Sequence, residues 1–204
     1  MASLLNDKLI IKPLSDKITI VDNLLSEHVV GYLRLRMELT NQFHDIYKDY
    51  QAINYFPGED LVTDILEKEI SNKFNLKKFQ RAWSFIYNNN AHGVDFHADP
   101  SNTNVNIWVT PDESIEDYSQ NGLLICDKKP PEDWTREQWN VNKEGCIDKF
   151  LQKEKTSILR VNYRCNRAII FDGDLFHKTD NVKTKDGIFN KRVSYTMLFG
   201  RTLE

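Results

Sequence analysis

Asn104-Val105-Asn106-Ile107-Trp108-Val109-Thr110 is the stretch on which the fold turns. Polar and β-branched apolar residues alternate along it, and Pro111-Asp112 closes it, so it reads as a strand. On that reading Asn104, Asn106 and Trp108 share one face. An asparagine turned into the interior of a sheet protein needs hydrogen-bond partners, which gives Asn106 a site role, as a ligand for a bound carboxylate or a substrate group. Asn104 is read as facing solvent where the strand begins.

Strands accumulate on both sides of it. Trp83, Phe85 and Tyr87 alternate with Ser84 and Ile86, and Gly122-Leu123-Leu124-Ile125-Cys126 is a further strand. Arg167-Ala168-Ile169-Ile170-Phe171 is an apolar run ended by the turn signal Asp172-Gly173-Asp174, and residues 192–200 close the series. The N-terminal part differs. After a strand at 16–21, Asp22 or Asn23 is expected to cap a helix carrying Leu25, Val29, Leu33 and Met37 on one stripe. A second helix is expected over about 60–73, with Leu61, Ile65, Leu66 and Ile70 inward and Pro57-Gly58 just before it. Helices followed by strands predict an α+β protein whose β core is a barrel or sandwich, with the N-terminal helices packed on one sheet. We read one domain over 1–204, with the strand and helices in about 1–80 and the β core in about 81–204. Residues 127–157, with Pro130-Pro131, Trp134, Trp139 and Asp133 as a helix cap, form an insertion. It reads as a lid over a site or as a surface excursion pinned by its tryptophans.

Composition narrows the function classes. The 204 residues carry a net charge of −3, which argues against nucleic acid as a partner and against a charged membrane-surface role. No apolar run is long enough to span a membrane, and no targeting segment is visible. The three cysteines, Cys126, Cys146 and Cys165, are widely spaced, which predicts reduced thiols and a cytoplasmic location. Nothing in the sequence fixes the oligomeric state.

The chemistry concentrates near Ala91-His92-Gly93-Val94-Asp95-Phe96-His97-Ala98-Asp99-Pro100. On an extended chain His97 and Asp99 aim an imidazole and a carboxylate to one side. Two histidines and one carboxylate suit a mid-sized divalent metal such as iron(II), and His177, opening a strand after the turn at 172–174, supplies the distant ligand. Arg192 and Ser194 share a face of the last strand, and a guanidinium beside a hydroxyl suits a buried carboxylate. Tyr87 reads either as a hydroxyl donor to a co-substrate or as an interior aromatic. His92, five residues before His97, reads as substrate-side or structural, and Arg167 as surface or fold-stabilising. His28 and His44 read as structural or surface residues.

Taken together, His97-Ala98-Asp99, Asn104–Pro111, Asn166–Phe171, Leu175–Thr179 and Arg192-Val193-Ser194 resemble the iron(II)/2-oxoglutarate-dependent oxygenase superfamily over rather more than half the chain. The resemblance implies a double-stranded β-helix (jelly-roll, cupin-like) core and a dioxygenase that uses O2, with ascorbate as a supporting reductant. His97, Asp99 and His177 would hold the iron. Arg192, helped by Ser194, Tyr87 and Asn106, would hold 2-oxoglutarate. Such an enzyme hydroxylates an unactivated C–H bond of a small molecule or a protein side chain and releases succinate and CO2; desaturation and ring closure use the same iron core. The alternatives are a cupin-type metal protein without 2-oxoglutarate and a non-catalytic binding module. The prime substrate is not legible in the sequence.

Overall fold

The computed structural model describes residues 3–200. Its N-terminal elements are β1 (Ile10–Ser15), β2 (Ile18–Asp22), α1 (Glu27–Leu39), β3 (Asp45–Ile46), β4 (Tyr50–Tyr55), α2 (Leu61–Phe74) and β5 (Phe79–Tyr87). There follow β6 (Asn90–Ala91), β7 (Thr103–Trp108), β8 (Leu123–Cys126), α3 (Arg136–Trp139) and α4 (Cys146–Lys153). The chain closes with β9 (Ile158–Val161), β10 (Arg167–Asp172), β11 (His177–Thr179), β12 (Val182–Lys183) and β13 (Val193–Phe199). An eight-stranded sheet runs β1-β2-β10-β7-β13-β5-β4-β3; three-stranded β11-β8-β9 and two-stranded β12-β6 make smaller sheets. All the pairings are antiparallel. The chain thus has the α+β, double-stranded β-helix architecture expected of it, with helices on one sheet.

Alternation along β7 and β13 gives the large sheet two unlike faces. Val105, Ile107, Val193, Tyr195 and Met197 join Leu33 and Met37 of α1 and Leu66 and Ile70 of α2 in one core. Each such fully buried aliphatic side chain contributes roughly 1.5–3 kcal/mol. Two polar contacts fix α1 in place: Ser84 Oγ donates to Met37 Sδ at 2.9 Å, and the Tyr195 hydroxyl donates to the Leu33 carbonyl at 3.2 Å. On the other face Ile20, Trp108, Ile169 and Phe171 meet Leu123, Ile125 and Val161 of the small sheet in a second core. That core fills one end of the space between the sheets; the other end is left as a cavity.

Local departures have local causes. α1 starts at Glu27 after Ser26, not from Asp22 or Asn23. Asn23 is in the left-handed region at φ 56°, and Asp22 is consumed by ion pairs with Lys12, Arg164 and Arg167. α2 is capped by Asp60, which accepts from Thr63 N at 2.9 Å. In the insertion Thr135, not Asp133, caps the short helix, in a reciprocal box with Gln138. Strands β1, β4 and β9 were not expected; β1 is exposed along its whole length and β9 over most of it, so neither shows an apolar alternation. Among the described residues no helix is long and apolar enough to cross a membrane.

Candidate metal centre and its cavity

His97 and His177 are brought together by their own backbones. His97 N donates to the His177 carbonyl at 3.0 Å, and His177 N donates back at 2.9 Å, so the two imidazoles lie side by side with centroids 4.3 Å apart. This differs from a continuous strand through the His-x-Asp motif: residues 95–99 form a loop holding a single bridge to β11. Asp99 is placed by its amide, which donates to the Gly173 carbonyl at 2.8 Å. A Cβ at residue 173 would overlap Ser101 Oγ and crowd Asn104, so only glycine permits that approach.

The two rings are oriented by carbonyls. His97 Nδ1 lies 2.7 Å from the Asp95 carbonyl, and His177 Nδ1 lies 2.8 Å from that of Leu175. A carbonyl only accepts, so both Nδ1 atoms carry the proton and both Nε2 atoms present a lone pair. These Nε2 atoms point at the Asp99 carboxylate, 3.8 Å away for His97 and 3.4 Å for His177. The three ligand atoms all lie within 4.8 Å of one another. Burial and the neighbouring His177 push the pKa of His97 down, so its imidazole is neutral at pH 7. Burial raises the Asp99 carboxyl, but the adjoining His177 and His97 rings and the hydrogen bond from Asn104 outweigh it and hold it at about 2. Two imidazoles and one ionised carboxylate on one side are the donor set that iron(II) accepts with positions to spare. The residues present fit the metal.

A cavity of about 370 Å³ opens beside these ligands. His97, Asp99, His177, Asn106 and Tyr87 line it, so five of the expected site residues share one space. Asn106 Nδ2 donates to Thr196 Oγ1 at 2.9 Å, while its Oδ1 has no hydrogen-bond partner among the described residues. Arg192 is not in the wall. It is 1% exposed, with Cζ 5.1, 5.4 and 5.7 Å from the ring centroids of Tyr87, Trp108 and Tyr163. Its Nε donates to the Asn121 carbonyl at 3.0 Å, and its Nη1 has no hydrogen-bond partner among the described residues. Burial pushes the Arg192 pKa down, against the pull of the Tyr87 and Tyr163 phenols. A desolvated cation with an orphan donor is costly unless an anion completes it. Ser194 is buried two residues further along the same strand, also behind the wall.

The remaining candidates do not line the cavity. His92 is exposed, bonded to Asp95 Oδ1 at 2.9 Å and Asn181 Oδ1 at 3.1 Å. Arg167 pairs with Asp22 at 2.6 Å. His28 lies on α1, and His44 Nδ1 accepts from Asn54 N at 3.0 Å. The 127–157 segment packs on the body of the protein and also borders the cavity. Trp134, Trp139, Ile147 and Leu151 pack on Ala98 and Phe176, while Asn140 and Val141 reach the cavity. It also grips the ligand loop, because Ala98 N donates to the Trp139 carbonyl at 2.8 Å and Asn140 Nδ2 donates to the Ala98 carbonyl at 2.9 Å. Two functional residues escaped the sequence reading. Asn104 is fully buried and donates to Asp99 Oδ2 at 2.7 Å, which its shared face with Asn106 could have signalled. Arg81, one step before the aromatic alternation, lines the cavity.

No protein-family model matches the sequence, and no curated protein sequence does. Solved structures do. The non-haem α-ketoglutarate-dependent carbocyclase SnoK from nogalamycin biosynthesis aligns with TM-score 0.63 at 10% identity, over 90% of this chain and 79% of its own. HygX from Streptomyces hygroscopicus, solved with nickel and 2-oxoglutarate, aligns at 0.59 and 9% identity over 92% and 84%. A Pseudomonas putida prolyl-4-hydroxylase aligns at 0.57 and 12% identity over 92% and 94%. At these identities the likeness is one of fold: the chain has the double-stranded β-helix shared by these enzymes.

Proposed function

We propose that the protein is a non-haem iron(II) oxygenase that uses 2-oxoglutarate and O2 and hydroxylates an unactivated C–H bond of a small molecule, with succinate and CO2 released. The observation that carries this reading is the convergence of two Nε2 lone pairs, each fixed by an Nδ1 donation to a carbonyl, on one buried carboxylate. His97, Asp99 and His177 would hold the iron. Bound iron(II) supplies the redox chemistry that activates O2 at the expense of the oxo-acid. The chain's own residues do the rest. The orphan donor of Arg192 is the complement of the distal carboxylate of 2-oxoglutarate, with Tyr87 between it and the cavity and Ser194 beside it. Asn106 and Thr196 offer polar contacts midway. The insertion and the aromatic wall keep water from the reacting atoms. The cavity volume sits in the lower part of the roughly 300–1,000 Å³ typical of small-molecule sites, which favours a metabolite over a protein side chain. Three free cysteines accord with a reducing cytoplasm.

The test is succinate release with iron(II), 2-oxoglutarate and ascorbate. Wild type is expected to turn over slowly without prime substrate, and Asp99→Ala to be inactive and to bind iron weakly. Wild-type protein that binds neither iron nor 2-oxoglutarate would end the proposal. One observation favours a second reading, a jelly-roll metal protein without co-substrate: Arg192 lies behind Tyr87 instead of in the cavity wall. Calorimetric titration with 2-oxoglutarate separates the two.

A further inference from the structure

β5 carries a ladder of rings along the cavity with an arginine at each end. Trp83 and Phe85 have centroids 6.4 Å apart, and Phe85 and Tyr87 6.2 Å apart. Arg192 caps the Tyr87 end. At the other end the guanidinium of Arg81 stacks on Trp83, with Cζ 3.9 Å from the ring centroid. Arg192 accepts from Tyr87 N through its carbonyl, whereas Arg81 is paired in register with Leu198. Six residues of strand separate the two positions, about 20 Å at the usual rise per residue. The two arginines therefore start from well-separated points of the strand pair.

Arg81 differs from the other cavity residues in having charge to spare. It makes no ion pair with a carboxylate among the described residues, and its contact with the Trp83 ring holds it at the cavity wall. Burial pushes its pKa down, the charge of Asp99 pulls it back up, nearby Arg136 pushes it down again and Asp45 opposes. In the proposed holoenzyme, iron(II) and Arg192 balance the co-substrate and Asp99, so only Asp45, which already accepts from Asn54 Nδ2 at 2.8 Å, stands against the charge of Arg81. We infer that Arg81 is the anchor for a carboxylate on the prime substrate, whose apolar body lies along Trp83, Phe85 and Tyr50. Asp45 and Asp99 both act on the same guanidinium, and Asp45 lines the same cavity. A dianionic phosphate there would also face the Asp45 carboxylate, so a monoanion suits the site better. This assignment rests on the oxygenase reading and names the substrate class of that site: a small organic acid, hydroxylated at a carbon away from its carboxylate.

The test uses iron(II)-loaded protein saturated with 2-oxoglutarate, without O2, titrated calorimetrically with phenylacetate and hexanoate and with their neutral amides. The acids are expected to bind about tenfold or more tighter than the amides, as one charge-assisted contact implies. In Arg81→Met the acids fall to the level of the amides, in Arg81→Lys they lie between, and 2-oxoglutarate affinity holds in both. Equal binding of acid and amide in wild type, including no binding of any acid, overturns the assignment even if no variant folds. So does an Arg81→Met protein that loses 2-oxoglutarate instead of the acids, which would make Arg81 a co-substrate residue. Wild type that fails to bind 2-oxoglutarate defeats the oxygenase reading separately, and acid-versus-amide preference on the iron-loaded protein still judges Arg81.

Discussion

The two ends of the aromatic ladder present the same functional group in opposite physical states. Arg192 is sealed among three rings, with one nitrogen bonded to a carbonyl and another left without a partner. Arg81 sits over one indole and borders the open cavity, with solvent to share the load. A cation that is desolvated before its ligand arrives is committed to one anion, since any mismatch leaves the full penalty standing. A half-solvated one tolerates variety. The buried end therefore suits an obligatory co-substrate, and the open end a group that differs from one enzyme of this fold to the next.

That contrast can be broken first by removing the sealed charge. Arg192→Met should weaken 2-oxoglutarate binding about a hundredfold, the effect of losing paired charge-assisted bonds, while leaving iron affinity within a few-fold. Its melting temperature should equal or exceed that of wild type, because a buried charge without a full partner costs more than a thioether in the same space. A large loss of stability would mean that Arg192 serves the fold and not a ligand.

Smaller effects sharpen the picture. Asn104→Ala removes a donor to the Asp99 carboxylate and should reduce iron affinity about 10- to 100-fold, with 2-oxoglutarate affinity of the iron-loaded protein unchanged. Equilibrium dialysis measures the first and calorimetry the second. Asp22 is a buried charge of the opposite kind, surrounded by Lys12, Arg164 and Arg167. Burial raises its carboxyl, but Arg167 and Lys12 outweigh this and hold it at about 2. A folded pKa below the unfolded one gives stability that is present above about pH 4 and lost as the pH falls toward 2, worth about 2 kcal/mol. Asp22→Asn should show that loss already at pH 7 in denaturant melts, and its stability should vary less between pH 4 and 2.

Alternation and motif order made much of this legible. β7 and β10 announce themselves because one face of each meets the helices and the other meets the small sheet, and β13 because every second residue from Val193 to Phe199 enters the helix-covered core. His97, Asp99 and His177 stood out as metal-binding types around a β segment. Edge strands were harder: β1 has Ile10, Ile11 and Leu14 exposed, so no buried face marks it. Asn104 was misread because a polar residue at a strand end resembles a solvent contact until its carboxylate partner, brought by a separate loop, is in view. Arg81 belongs to the same lesson. It continues the alternation of Trp83, Phe85 and Tyr87 one step toward the start of β5, and a charged residue there gives no sign of a cavity until the metal ligands are in view. The carbonyls that orient the two imidazoles are backbone groups and leave no trace in residue identity.

The most direct test sets the two ends side by side: 2-oxoglutarate titrated calorimetrically into iron(II)-loaded Arg192→Met and Arg81→Met proteins without O2. Binding should collapse in the first and persist in the second. If it persists in the first and collapses in the second, the co-substrate lies at the open end and the assignment of the ladder is reversed.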